Sequence, residues 1–159
     1  SPEGKKVALG IIRRHRLWEF FLSEKLCFSW DEVHEVAEQL EHVTSVKLID
    51  KLDEYLGFPR FDPHGDPIPD KQGKLAYQER LPLGNQPHHT WLEVTAVGDE
   101  SPELLDMLTH YHIHLGTRLR IVRSFSFDGS LEIGMPDRKL FTISKTVAET
   151  VLVKIADHE

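Results

Sequence analysis

The sequence predicts an α+β protein: a helical first third, a proline-rich break, and a second half built of short strands. Apolar residues Val7, Ala8, Ile11, Ile12, Leu17, Trp18, Phe21 and Leu22 recur at steps of three or four, the period of one helix face. Residues 58–70 then carry Pro59, Pro63, Gly65, Pro67 and Pro69, which exclude regular structure there. Beyond them lie strand-like runs at 91–97, 118–127, 130–133, 139–144 and 151–155. Short strands with one helical insertion suggest a small β-barrel.

Each element has a local cause. Pro2 suits a first helical turn, so the first helix begins almost at the first residue. Ser29 and Glu32 have capping-box spacing and open a second helix over about residues 30–42. Thr44 or Ser45 caps a third, whose stripe is Leu48, Ile49, Leu52, Tyr55 and Leu56, and Gly57 ends it. Ser101-Pro102-Glu103 starts the helical insertion, which runs to about His110. The expected organisation is a three-helix domain at 1–57, a proline-rich linker at 58–72 and a β-domain at 73–159. Three short helices cannot bury all their apolar stripes alone, so a partner surface is expected, most simply a homodimer.

Composition limits the function classes. Charged residues at 28% and hydrophobic residues at 40% are ordinary for a globular chain. A net charge of -7 excludes gripping nucleic acid by bulk electrostatics, which needs a clustered Lys/Arg surplus. The single cysteine, Cys27, rules out an internal disulfide framework, and its apolar neighbours Leu26 and Phe28 suggest a buried thiol. No apolar run approaches the length of a membrane span, so a cytoplasmic protein without membrane contact is expected. There is no GxSxG elbow, phosphate-binding glycine loop or HExxH signature, so no catalytic residue is assigned.

Ligand-type side chains concentrate in the helices. His15 and Glu19 stand four residues apart on the first helix. In the second, His34, Glu38, Glu41 and His42 follow offsets that bring them near one face, beside the apolar stripe Val33, Val36, Ala37 and Leu40. Carboxylates beside a core stripe are costly unless paired or bound to a cation; the alternative is an acidic solvated face, to which Glu35 and Gln39 belong. Imidazole with several carboxylates and no thiolate suits Mn²⁺ or Fe²⁺, with Zn²⁺ or Co²⁺ binding in vitro. His88, His89, His110, His112 and His114 read as surface residues, and His64 as a loop residue. Trp18, Trp30 and Trp91 read as core or interface anchors.

The segment from Gly4 to Leu22, with Arg13-Arg14-His15-Arg16-Leu17-Trp18-Glu19, then Val33-His34 and Glu41-His42-Val43-Thr44-Ser45, resembles the diphtheria-toxin-repressor family of iron- and manganese-dependent transcriptional regulators. Pro63-His64-Gly65-Asp66-Pro67-Ile68-Pro69 looks like that family's linker motif. Ser101 to Leu105 and His114 to Thr117 are similar to its C-terminal SH3-like, ferrous-transport-type domain. The resemblance implies one metal site, ancillary in the iron regulators, at His15, Glu19 and His34, completed by Glu100 and Glu103. It implies a second, DNA-activating site at Glu38, Glu41 and His42. Glu38 stands where iron regulators carry cysteine and manganese regulators glutamate, which tilts the metal toward manganese.

Family members begin with a winged helix-turn-helix domain, so the resemblance implies that this chain is a fragment holding only the dimerisation and SH3-like domains. It then contacts operator DNA only through a domain outside the chain, and its second metal site is incomplete. The expected function is the metal-sensing and dimerisation portion of a metal-dependent repressor, with metal as co-repressor and no enzymatic activity. The alternatives are a carboxylate-rich metallohydrolase and a metal-free interaction module carrying an SH3-like domain.

Overall fold

The computed structural model describes residues 1–157, in two compact units that divide between Tyr77 and Gln78. The first unit opens with α1 (Pro2–Leu26). Ser1 Oγ accepts the N–H of Gly4 at 3.1 Å and Pro2 occupies the first turn, as the sequence requires. The helix stops at Cys27, which turns left-handed at φ 59° while Phe28 N–H closes back on the Leu22 carbonyl at 3.0 Å. That turn leaves Cys27 exposed, contrary to the buried thiol expected from its neighbours.

Two short helices follow, α2 (Val33–Leu40) and α3 (Val46–Tyr55). The expected capping box is half formed: Ser29 N–H donates to Glu32 Oε2 at 2.9 Å, and the helix begins after Glu32. Ser45 caps α3 by accepting the Leu48 N–H at 3.2 Å. Val33 and Ala37 on α2 pack with Leu22 of α1, and Ile49 and Leu52 on α3 pack with Leu17.

The proline-rich stretch differs from a free linker. Asp62 Oδ1 accepts the N–H groups of His64 and Asp66, both at 2.9 Å, and an isolated bridge joins Phe61 to Pro67. This tight turn is held against the helices: Ile68 joins the Leu17 cluster, and Asp62 and His64 are buried. The stretch therefore supplies part of the cover that the helices need.

The second unit is a six-stranded antiparallel sheet in the order β1-β6-β2-β3-β4-β5. Its strands are β1 (Leu81–Pro82), β2 (Leu92–Val97), β3 (Arg118–Ser124), β4 (Leu131–Gly134), β5 (Phe141–Ile143) and β6 (Val151–Ile155). Register shifts at Val94/Ala96 and Ile121/Arg123 mark bulges, which bend a small sheet. Helix α4 (Pro102–His110), capped by Ser101, buries Leu105 and Leu108. The alternating residues Leu92, Val94, Leu119, Ile121, Val151 and Val153 form the core with them. The short helix α5 (Lys145–Thr150) and β1 are additions to the sequence expectation.

Candidate metal centre

Helix α1 carries three arginines around His15, and each ties down a different neighbour. Arg13 pairs with Asp50 at 3.1 Å and Asp53 at 2.9 Å on α3. Arg14 Nε donates to the Glu41 carbonyl at 2.9 Å, just beyond α2. Arg16 donates to the Pro67 carbonyl in the proline-rich turn. The segments that border His15 and Glu19 are thereby fixed to the helix that bears them.

The centre of the cluster is Glu19, fully buried one turn beyond His15. Its Oε2 lies 3.4 Å from His15 Nε2, 3.6 Å from His34 Nδ1 and 3.5 Å from His64 Nδ1. Among the described residues neither Glu19 oxygen has a partner in hydrogen-bond geometry. His15 Nε2 and His34 Nδ1 are 3.2 Å apart, and the ligand atoms of His15, Glu19 and His34 all lie within 4.8 Å of one another. Two donors on one cation at about 2.1 Å are separated by roughly 3.0 to 3.4 Å, so these spacings suit a shared ion.

Asp62 and His64 form a second group with the same glutamate, again with ligand atoms within 4.8 Å. His64 Nε2 lies 2.7 Å from the Trp30 carbonyl, which can only accept, so this nitrogen donates. In a neutral ring Nδ1 is then a lone pair, and it faces the carboxylate oxygen of Glu19. Two acceptors in that arrangement need a proton or a cation between them. His64 was expected in a loop; it is buried because the turn around Asp62 carries it inward. Asp62 and His64 are the residues that the sequence reading missed, and Asp62-Pro63-His64-Gly65 was their only signal.

The two buried carboxyls, Glu19 and Asp62, are shifted in opposite directions by their surroundings. Burial raises the Glu19 carboxyl, but polar contacts from His15 and Asp62 and the charges of His64 and His15 outweigh it, so its pKa is lowered. Burial, then the charges of Glu19 and Asp66, push the Asp62 carboxyl well above its usual range. Mixed imidazole and carboxylate donors around a buried acidic centre fit a divalent cation such as Mn²⁺ or Fe²⁺.

Glu38, Glu41 and His42 stand further out, toward the end of α2. Glu38 is exposed, with Oε1 3.2 Å from His34 Nε2, and Glu41 Oε2 is 3.7 Å from His15 Nδ1. His42 is exposed after α2. Glu38 and Glu41 thus meet the outward nitrogens of the two cluster histidines. In the second unit Glu100 is half-buried just before the α4 cap, and Glu103 is exposed in that helix's first turn. His88, His89, His110, His112 and His114 are exposed, as expected.

The fold and cluster define a divalent-metal-responsive helical module joined to a small β-domain, and comparison with known proteins agrees. Residues 1–70 match the metal binding and dimerisation domain of iron dependent repressors, and residues 81–155 match the FeoA domain, which is SH3-like. A manganese-dependent transcriptional repressor in complex with manganese superposes with a TM-score of 0.91 at 33% identity, covering 98% of this chain and 74% of that one. The iron-dependent repressor IdeR of Mycobacterium leprae is 26% identical over 166 residues, 97% of this chain and 71% of its own length. A probable metal transport system membrane protein of Chlamydia trachomatis is 40% identical over 74 residues, where the match spans 46% of this chain but 16% of the relative. The chain belongs to the diphtheria-toxin-repressor family of iron- and manganese-dependent transcriptional regulators.

Proposed function

We propose that this chain is the metal-sensing and dimerisation portion of a manganese- or iron-dependent repressor. The observation that carries the reading is the single buried Glu19 oxygen with imidazole nitrogens of His15, His34 and His64 at 3.4 to 3.6 Å around it. The bound metal supplies positive charge that joins these acceptors; the chain supplies the donors and holds them in place. The proposed ligands are His15, Glu19 and His34, with Asp62 and His64 as an adjoining set, and Glu38, Glu41 and His42 toward the end of α2. Glu100 and Glu103 are proposed to complete the first set, as the family resemblance implies. Relatives that respond to manganese or iron support the same metals here, and the lack of a thiolate among the ligands favours manganese.

The protein acts in the cytoplasm as a homodimer, and operator DNA is contacted through a separate domain. Metal is a co-repressor because it binds the DNA-competent arrangement more tightly than others. Calorimetric titration with Mn²⁺, and with Fe²⁺ under anaerobic conditions, tests this. Saturable binding that Glu19→Gln abolishes is expected, and no saturable binding to the unaltered protein overturns it.

The likeness to the chlamydial membrane protein favours a second reading, in which the same sensing unit governs a metal permease. Metal-dependent retention of operator DNA, against metal-dependent retention of the permease, by the full gene product separates the two.

A further inference from the structure

The outward face of the second unit's sheet carries charges that the metal centre does not use. Strand alternation puts Glu93 of β2, Arg118, Arg120 and Val122 of β3, and Lys154 of β6 on the side away from Leu92, Leu119, Ile121 and Val153. Three cations of these strands meet a carboxylate across the ladder, where opposite charges stabilise a pair. Lys154 pairs with Glu93 at 3.6 Å, Arg118 is in register with the same Glu93, and Arg123 is in register with Glu132. Arg120 is the exception, because its register partner is Gly134 and its other neighbour is Trp91.

Arg120 is nonetheless held in place. Its guanidinium carbon lies 4.9 Å from the centroid of the Trp91 ring, a cation–π contact. A Cβ built on Gly134 would come within 3.4 Å of Arg120 Nε and 3.5 Å of its Cγ. Gly134 has no left-handed φ that would call for glycine, so its missing side chain serves to make room for the arginine. Nε is covered and has no hydrogen-bond partner, and among the described residues the guanidinium makes no ion pair. Its terminal N–H groups are left to bond outward, as the planar fork that fits a carboxylate.

We infer that Arg120, fixed by Trp91 and Gly134, is the anchor of a docking site for an acidic peptide segment of a partner protein, whose aspartate or glutamate takes the guanidinium. The charge pattern names the occupant. The other three cations are each answered by a carboxylate in the sheet, and for Arg120 the ligand supplies it. Nucleic acid is disfavoured by the net charge of -7. A lone exposed ion pair is weak, so a small free carboxylate would not be retained on an open sheet face. An extended chain adds contacts along the strand, beginning with the half-buried Val122. The site lies within the second unit and does not depend on metal sensing.

Titration of the full 159-residue chain with an acetylated and amidated hexaglutamate peptide, in chelator, tests this. The covered Nε–H of Arg120 is followed in ¹H–¹⁵N spectra of arginine-labelled protein and assigned by the signal lost in Arg120→Lys. The expected result is a saturable shift of that signal, with affinity falling as salt rises from about 50 to about 300 mM. Arg120→Gln should weaken binding about tenfold or more, and Arg120→Lys by less, since it keeps the charge without the fork. Hexaglutamine and inorganic phosphate at the same concentrations should not saturate the shift. No saturable shift with hexaglutamate, an equal response to hexaglutamine or to phosphate, or unchanged affinity in Arg120→Gln overturns the site. Should Arg120→Gln not fold, the three titrations of the unaltered chain decide it.

Discussion

Glu19 and Asp62 bury two carboxyl groups within reach of one another, and their opposite pKa shifts predict opposite pH responses in cation-free protein. Glu19 is lowered, so its stabilising share is complete above its unfolded value and is lost as pH falls through the lowered one. Asp62 is raised, so it is neutral and harmless in acid but costs stability as pH climbs from the usual carboxylate range through the raised value. Asp62→Asn keeps the Oδ1 that caps the turn and removes the ionisable oxygen. In chelator at neutral pH this variant should melt higher than the unaltered protein, and its stability should no longer decline across that rise. Thermal melts against pH check both, and a lower melting point would count against the buried pair as described. For Glu19→Gln, the stabilisation by Mn²⁺ should disappear; in the unaltered protein it is about 2.7 kcal/mol at one hundred times Kd.

At the scale of elements, α1 is the organiser, because its arginines bind α3, the end of α2 and the proline-rich turn. Arg13 and Asp53 form a buried ion pair, in which loss of one partner leaves an uncompensated charge. Arg13→Ala should therefore cost about 3 to 5 kcal/mol in urea unfolding. Ser45→Ala removes the α3 cap and should cost about 1 kcal/mol. If Arg13→Ala proved no worse than Ser45→Ala, the pair would not be the fastening that its geometry implies. The helix starts at Pro2, at Thr44 or Ser45, and at Ser101 were legible because first-turn prolines and caps are local chemistry. The short α5 and the two-residue β1 were not, since neither is long enough to display a period.

For the whole molecule, the apolar side chains left over by the first unit's packing bear on assembly. Ile68 covers part of the helical stripe, yet Val7, Ile11, Val46 and Leu48 remain exposed on α1 and α3. A second copy of the chain is the proposed cover. Light scattering at micromolar concentration should give twice the 18.3 kDa chain mass, and a strictly monomeric mass would remove that proposal. The net charge of -7 argues against this chain gripping nucleic acid by bulk electrostatics.

The sequence by itself determined the fold class, the three helices and most strands, because hydrophobic period, caps and prolines act within a few residues. It also placed His15 beside Glu19 through their helical offset, and the family resemblance added His34. Only the tertiary structure decided that the proline-rich stretch belongs to the first unit and brings Asp62 and His64 to Glu19. That depends on a turn packing against helices more than thirty residues away in sequence, which no local pattern encodes. The direction of each imidazole was likewise invisible before folding, because which nitrogen meets a carboxylate is fixed by how α1 and α2 pack, not by the spacing of the histidines.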